Sequence, residues 1–306
     1  MEKIFSKTLW RTIIAVFCTV LWGIAYPLIK IGYEYMGSVT IPNELTFAGV
    51  RFLLAGIIIF VFSLFYKKRI PTVSKSKVIY VIIYGLVQTG ALYLFNYIGV
   101  TYTTATKTSI LTSLTAFLAV VFAPLFFKDE KLTVQKIIGV IIGLIGIVIV
   151  NLNAFSGSFT FMGEGMIIIA MLCNTAGGFI GKAISKGKVI EVTSYQLSIG
   201  GIALLVIGLL FGGTFFIDVN LIIITIILAL VSSVAFLLWT ELLVYNEAGK
   251  ILVYNLLIPV FGSIWSFIIL GEKEIFNPLF IVSVVLISIG IILVNISRDK
   301  NSRSKI

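Results

Sequence analysis

Long apolar stretches alternate with short polar breaks along almost the whole chain. Windows of about 20 apolar residues are the signal of a membrane-spanning helix. Ten such windows are read here, near residues 12–32, 44–66, 78–97, 104–127, 134–152, 162–182, 192–212, 219–242, 250–270 and 277–296. The spacers are too short to hold a soluble domain. A hydrocarbon solvent admits only helices and closed barrels, and continuous apolar runs of this length are not the alternating strands of a barrel. The pattern predicts an all-α membrane protein of ten transmembrane helices.

Lysine and arginine sort by loop. Lys67, Lys68, Arg69, Lys75 and Lys77 follow the second run, Lys128, Lys131 and Lys136 the fourth, and Lys182, Lys186 and Lys188 the sixth. The tail adds Arg298, Lys300, Arg303 and Lys305, whereas the loops near 33–43, 151–161 and 213–218 carry none. Cationic loops stay on the cytoplasmic side. Both termini are therefore expected in the cytoplasm, with the protein in the plasma membrane. The first apolar run follows Lys3, Lys7 and Arg11, as in a signal peptide. It lacks a small-x-small cleavage site and is too long for such a peptide, so a retained helix is expected.

The two halves of the sequence repeat. Tyr102-Thr-Thr-Ala105-Thr-Lys107 matches Tyr245-Asn-Glu-Ala248-Gly-Lys250, and Gly146 to Asn151 matches Gly290 to Asn295. Lys128-Asp-Glu-Lys131 and Gly271-Glu-Lys-Glu274 are acidic turns at corresponding places. Lys30 corresponds to Lys182, and Arg51 to Gly56 corresponds to Gln196 to Gly201. The shared order implies five helices per half, over 10–152 and 162–297. An odd number of spans makes the second half enter from the opposite side, which gives inverted repeats with a site between them near mid-membrane.

Composition narrows the function classes. Of 306 residues 59% are hydrophobic and 12% charged, with a mean hydropathy of +1.13. So few charges cannot coat a water-exposed surface, and lipid is the expected surrounding. The net charge of +10 lies scattered over short loops rather than on one folded face, which excludes nucleic acid as a partner and fits anionic lipid head groups. There is no histidine, and Asp129, Asp218 and Asp299 all fall in loops or the tail. Metalloprotease, Ser-His and intramembrane aspartyl chemistry therefore have no material, and no P-loop is present. Neither Cys18 nor Cys173 has a C-x-x-C partner, so both are expected as small core residues and no cofactor is expected.

Polar and aromatic residues within the spans are the candidates for a substrate path. Gln88, Asn96, Asn174 and Asn255 are costly facing lipid and should face the interior. Trp22, Tyr26, Trp239 and Tyr254 are expected to wall the same space. Thr112, Ser113 and Thr115 are expected to bond within the helices instead. The aligned lysines Lys30/Lys182 and Lys107/Lys250 are expected as gates, one of each pair at each mouth. Glu34, Glu44 and Arg51 stand near one mouth, and Glu191, Glu241 and Glu247 near the other. Gly139-x-x-x-Gly143, Gly177-x-x-x-Gly181 and Gly208-x-x-x-Gly212 permit close helix contacts and leave room for a homodimer.

Leu21-Trp22-Gly23 followed by Lys30, Arg51-Phe52, and the stretch from Gly249-Lys250 through Tyr254-Asn255 to Pro259-Val260 with Gly271-Glu272 after it carry a family resemblance. The chain resembles the EamA family of ten-helix permeases within the drug/metabolite transporter superfamily, over about 10–297. The first half departs from that pattern, with Leu114-Thr115-Ala116 where a proline is usual and Lys128-Asp129-Glu130 in place of Gly-Glu. The resemblance implies two tandem five-helix units around a central cavity, and export of amino acids, other metabolites or toxic compounds. A neutral polar lining suits a small polar metabolite such as an amino acid. A cation-drug efflux permease needs an embedded carboxylate, for which Glu44, Glu164 and Glu241 lie close to helix ends. A non-transport scaffold would need neither deep polar residues nor a repeat.

Overall fold

The computed structural model of the chain describes residues 2–68, 70–151, 159–215, 217–272 and 278–296. Among the described residues a single short helix, Glu2–Phe5, precedes ten longer ones. The first half holds α1 Thr8–Glu34, α2 Ile41–Lys67, α3 Lys75–Tyr102, α4 Ala105–Thr112 continued by Leu114–Phe126, and α5 Val134–Val150. The second holds α6 Phe161–Ile184, α7 Val189–Leu210, α8 Val219–Tyr245, α9 Ala248–Leu270 and α10 Pro278–Ile296. Among the described residues nine of these are long and apolar enough to cross a membrane, and α5 is a shorter apolar helix. The protein is a multi-pass membrane protein. Side chains of Thr104, Thr133, Thr160 and Asp218 accept the first free backbone N–H groups of α4, α5, α6 and α8, which sets where those helices begin. The predicted tail cations Arg298, Lys300, Arg303 and Lys305, together with Arg69, Lys273, Glu274 and the loop 152–158, lie outside the described residues.

Short connectors reverse the chain at each step, so the helix ends gather at two faces. Polar cross-links respect that sorting. Lys30 meets Glu272, Lys107 and Thr103 meet Glu164, and Asn43 meets Thr214 at what is here the upper end. Lys67 meets Glu191, Lys182 meets Glu130, Lys136 meets Glu247, and Asn246 meets the Phe5 carbonyl at the lower end. The even number of helices leaves Thr8 and Ile296 both at the lower end.

The repeat is visible in the packing. A Cβ on Gly56 would strike Ser198, and a Cβ on Gly201 would strike Leu53. Gly56 aligns with Gly201, and Leu53 with Ser198, so α2 and α7 cross with their partners exchanged. The same holds for α5 and α10, where Gly139 packs on Gly290 and Gly146 on Ser283. α1 packs on α8 and α9, and its counterpart α6 packs on α3 and α4. Each first helix thus lies across the opposite half.

The glycines expected to permit close helix contacts make them within one chain. Gly143 lies on Leu256, Gly177 on Gln88, Gly181 on Tyr84 and Gly208 on Thr46. Gly212 lies beyond the end of α7, at φ 91°, and is a turn residue rather than part of a helix motif. The largest buried cluster, including Ala15, Cys18, Ala119, Val120, Leu242, Ile251, Leu252 and Tyr254, joins α1, α4, α8 and α9 toward the lower end. Cys18 is buried there.

Candidate functional site

A cavity of about 360 Å³ lies between the halves. Trp22, Tyr26, Gln88, Asn96, Asn174, Trp239 and Asn255 all line it, so seven of the eight expected substrate residues come together. Tyr254 does not join them. It is buried in the lower cluster, with its hydroxyl 2.8 Å from that of Thr12. Lys30, Tyr33, Glu44 and Val100, near the upper ends of their helices, also line the cavity. Tyr26 is 53% exposed, because the space reaches the upper end. Toward the lower end from Asn255, Leu252 and Val253 are buried in the large apolar cluster.

The backbone departs from regular α-helix where this cavity needs it. α3 contains a π-helical turn, Leu86–Ala91, that carries Gln88. α9 tightens into a 3₁₀ turn, Val253–Leu257, that carries Asn255. Pro259 has no N–H to give the Asn255 carbonyl, which accepts from the Ile258 N–H instead. The equivalent helix α4 lacks that proline and still breaks, at Ser113. Ser113 donates its hydroxyl to the Ile110 carbonyl, and Thr112 donates to the Ser109 carbonyl. Such back-bonding loosens a helix without a proline. Irregular backbone at membrane depth is tolerated where it lines a cavity.

Gln88 donates to Asn174 Oδ1 at 3.0 Å, Asn174 donates to Thr115 at 3.4 Å, and Thr115 donates to the Met171 sulfur at 3.1 Å. The chain ties α3, α6 and α4 together. Gly177 makes room for it, because the Gln88 side chain occupies the place of a Cβ there. Trp22 is wedged edge-on against Trp239 and Phe236, with ring centroids 4.8 and 5.5 Å apart. Its indole N–H is buried without an acceptor among the described residues, as are the Asn255 side-chain oxygen without a donor and the Arg51 Nε without an acceptor. Buried polar atoms in this state mark a place where a ligand or water supplies the missing partner.

The expected gate residues separate into three groups. Lys30, Glu44 and Arg51 line the cavity. Arg51 is not at the mouth. It lies ten residues into α2, about 15 Å below its start, and is 3% exposed. Lys107 pairs at 2.7 Å with Glu164, and Glu164 also accepts from Thr103 and from the Thr160 N–H. Lys250 pairs with Glu247, and Glu247 also takes Lys136 at 2.6 Å. Burial opposes ionisation of Glu247, but hydrogen bonds from Lys136 and Lys250 outweigh it and hold the carboxyl below its ordinary value. Lys182 pairs with Glu130, and Glu191 with Lys67. Glu241 is half-buried and enters none of the ion pairs among the described residues.

Sequence reasoning missed Tyr33, Tyr93 and Tyr97, which line the cavity with Asn96. Gln88, Leu92, Tyr93, Asn96, Tyr97 and Val100 form one helical stripe of α3, and that spacing was the available signal. It also missed Glu130, which takes the place of the Gly-Glu carboxylate although its local sequence departs from the family pattern.

The chain is similar over most of its length to proteins named as uncharacterized transporters. It is 27% identical over 302 residues to the uncharacterized transporter YvbV of Bacillus subtilis, covering 96% of this chain and 93% of that one. It is 27% identical over 263 residues to an uncharacterized transporter of Archaeoglobus fulgidus, covering 84% and 88%. A solved crystal structure superposes with a TM-score of 0.77 at 15% identity, over 93% of this chain and 98% of the other, which establishes the shared fold. The EamA-like transporter family matches residues 9–152 and again 161–296. With a duplicated five-helix unit, a cavity between the copies and a family match across nearly every residue, this chain belongs to the EamA-like transporter family.

Proposed function

We propose that the protein is a secondary transporter of the plasma membrane that exports a small polar metabolite, such as an amino acid, by alternating access between its two halves. The observation that carries this reading is the cavity itself. Its lining presents an Asn255 amide oxygen, a Trp22 indole N–H and an Arg51 Nε that lack partners among the described residues, and it reaches the upper end and stops on packed side chains at the lower end. The lower connectors hold Lys68, Lys128, Lys131, Lys186 and Lys188, and the described upper connectors hold no lysine or arginine. That bias supports a cytoplasmic lower end with both termini, and an extracellular upper end. The arrangement is then the outward-open one. Export is carried over from the family resemblance.

The test is counterflow in liposomes. Protein is reconstituted and a panel of labelled L-amino acids, organic acids, sugars and quaternary-amine drugs is offered against unlabelled compound inside. Saturable counterflow of a polar metabolite is expected. Counterflow of the drugs alone would replace this reading with cation efflux, and none at all would leave a scaffold.

A further inference from the structure

Arg51 is a buried cation at the depth of the cavity, yet it enters none of the ion pairs among the described residues, and its Nε has no acceptor there. Its guanidinium lies over the Phe52 ring at 4.2 Å and beside the Tyr93 ring at 5.7 Å. Ring faces hold a guanidinium in place and leave its N–H edge available, but their attraction is a fraction of what burying an uncompensated charge costs. The carboxylate of Glu44 sits on the same helix two turns above, about 10 Å along the axis, and forms no ion pair with it. Lys30, the other cation of the lining, already has Glu272. The deep part of the cavity therefore carries one unbalanced positive charge, and the same lining holds a second orphan donor, the Trp22 indole N–H.

We infer that the substrate brings an anionic group, a carboxylate in the first instance, and that Arg51 is the residue that docks it. The inference rests on the transport reading above and narrows it. A planar fork of N–H donors fits a carboxylate bidentately. An anion in place there satisfies the guanidinium and cancels its charge, which no neutral or cationic ligand does.

The test compares matched compounds. Reconstituted protein is offered L-amino acids and simple carboxylic acids, and in parallel the amino amides and amines with the same side chains. Binding is followed separately by tryptophan fluorescence, since Trp22 and Trp239 line the cavity. The acids are expected to bind and exchange in preference to their amides. Arg51→Gln should reduce that preference by about tenfold to a hundredfold, the usual worth of a charge-assisted hydrogen bond, and Arg51→Lys should restore part of it. Should Arg51→Gln fail to fold, the acid-to-amide comparison on the unaltered protein decides alone. Amides or amines exchanging as well as acids, or a preference untouched in Arg51→Gln, overturns the inference and leaves transport standing. No exchange of any compound overturns both.

Discussion

Lys182, in the last turn of α6, is ion-paired with Glu130 in the connector from α4 to α5, with the lysine side chain 12% and the glutamate 1% exposed. At the other end Lys30, aligned with Lys182 and near the end of α1, meets Glu272 in the acidic turn after α9 at 62% and 41% exposure. The topology is the same and the hydration opposite. Glu130 also accepts from the N–H groups of Ala248 and Gly249 at the start of α9, and Lys182 reaches the Asn246 carbonyl. Aligned positions for Glu272 and Lys30 are the N–H groups of Ala105 and Thr106 and the carbonyl of Thr103. Exchanging the conformations of the two halves would bury the Lys30 pair on those groups and hydrate the Lys182 pair, closing the upper end and opening the lower one.

Glu130→Gln is expected to open the lower end. Removing one partner of a buried pair costs about 3–5 kcal/mol, far more than tenfold in population, whereas an exposed pair is worth about 0–1 kcal/mol. With Cys18 and Cys173 replaced, a cysteine at Leu252, which is buried in the lower plug, should react faster with a maleimide offered from the lower side in Glu130→Gln. Lys30→Ala should change the rate little. Equal rates in all three proteins would mean that the pair does not close the lower end.

Acid should loosen a second lower clamp. The Glu247 carboxyl, held between Lys136 and Lys250, has a pKa below its ordinary value of 4.5. A lowered folded-state pKa stabilises fully above the unfolded value and is lost as pH falls through the folded one. The Lys136–Glu247–Lys250 contribution is therefore constant from neutrality to about pH 5 and declines as pH falls through the ordinary carboxylate value toward the lower folded one. Thermal unfolding of the detergent-purified protein against pH should bend downward there, and Glu247→Gln should remove part of that bend. A decline beginning near pH 6 would contradict the assignment.

The ten spans were legible because hydrocarbon demands only length and apolarity, and neither depends on which helix packs on which. The repeat was legible because its motifs sit at helix ends. Partners were not. Glu164 is 57 positions from Lys107, and Glu130 is 52 from Lys182, and only the interlocking of the halves brings them together. Arg51 was misplaced at the mouth because Glu44 is near it in sequence, although a helix separates them by two turns. Tyr254 and Asn255 differ for a similar reason. The turn that carries them is 3₁₀, so adjacent residues point about 120° apart rather than 100°, and nothing in the local pattern announces the change.

Orientation is checked by surface labelling. Ile217 is 93% exposed at the upper end and Ser76 is exposed at the lower end. Single cysteines there should react with an impermeant reagent on intact cells at Ile217→Cys and only after permeabilisation at Ser76→Cys. The reverse result would invert the protein, and equal labelling of both would remove the ten-span topology.

Gly177 separates packing from recognition. Its α-carbon is covered by the Gln88 side chain, which bonds Asn174 from that position. Gly177→Ala puts a methyl where the amide lies and should push Gln88 out of the polar chain joining α3, α6 and α4. Small-to-large changes in a packed interior cost about 1–3 kcal/mol, so thermal stability should fall while transport falls much further. Asn174→Leu and Asn255→Leu remove lining groups outright and should abolish transport with expression intact. Tyr254→Phe removes only the bond to Thr12, and interhelical hydrogen bonds in membranes average about 0.6 kcal/mol. That variant should lose a little stability and keep transport and substrate affinity. Transport lost in Tyr254→Phe but kept in Asn255→Leu would mean that the 3₁₀ turn of α9 presents the tyrosine, not the asparagine, to the substrate.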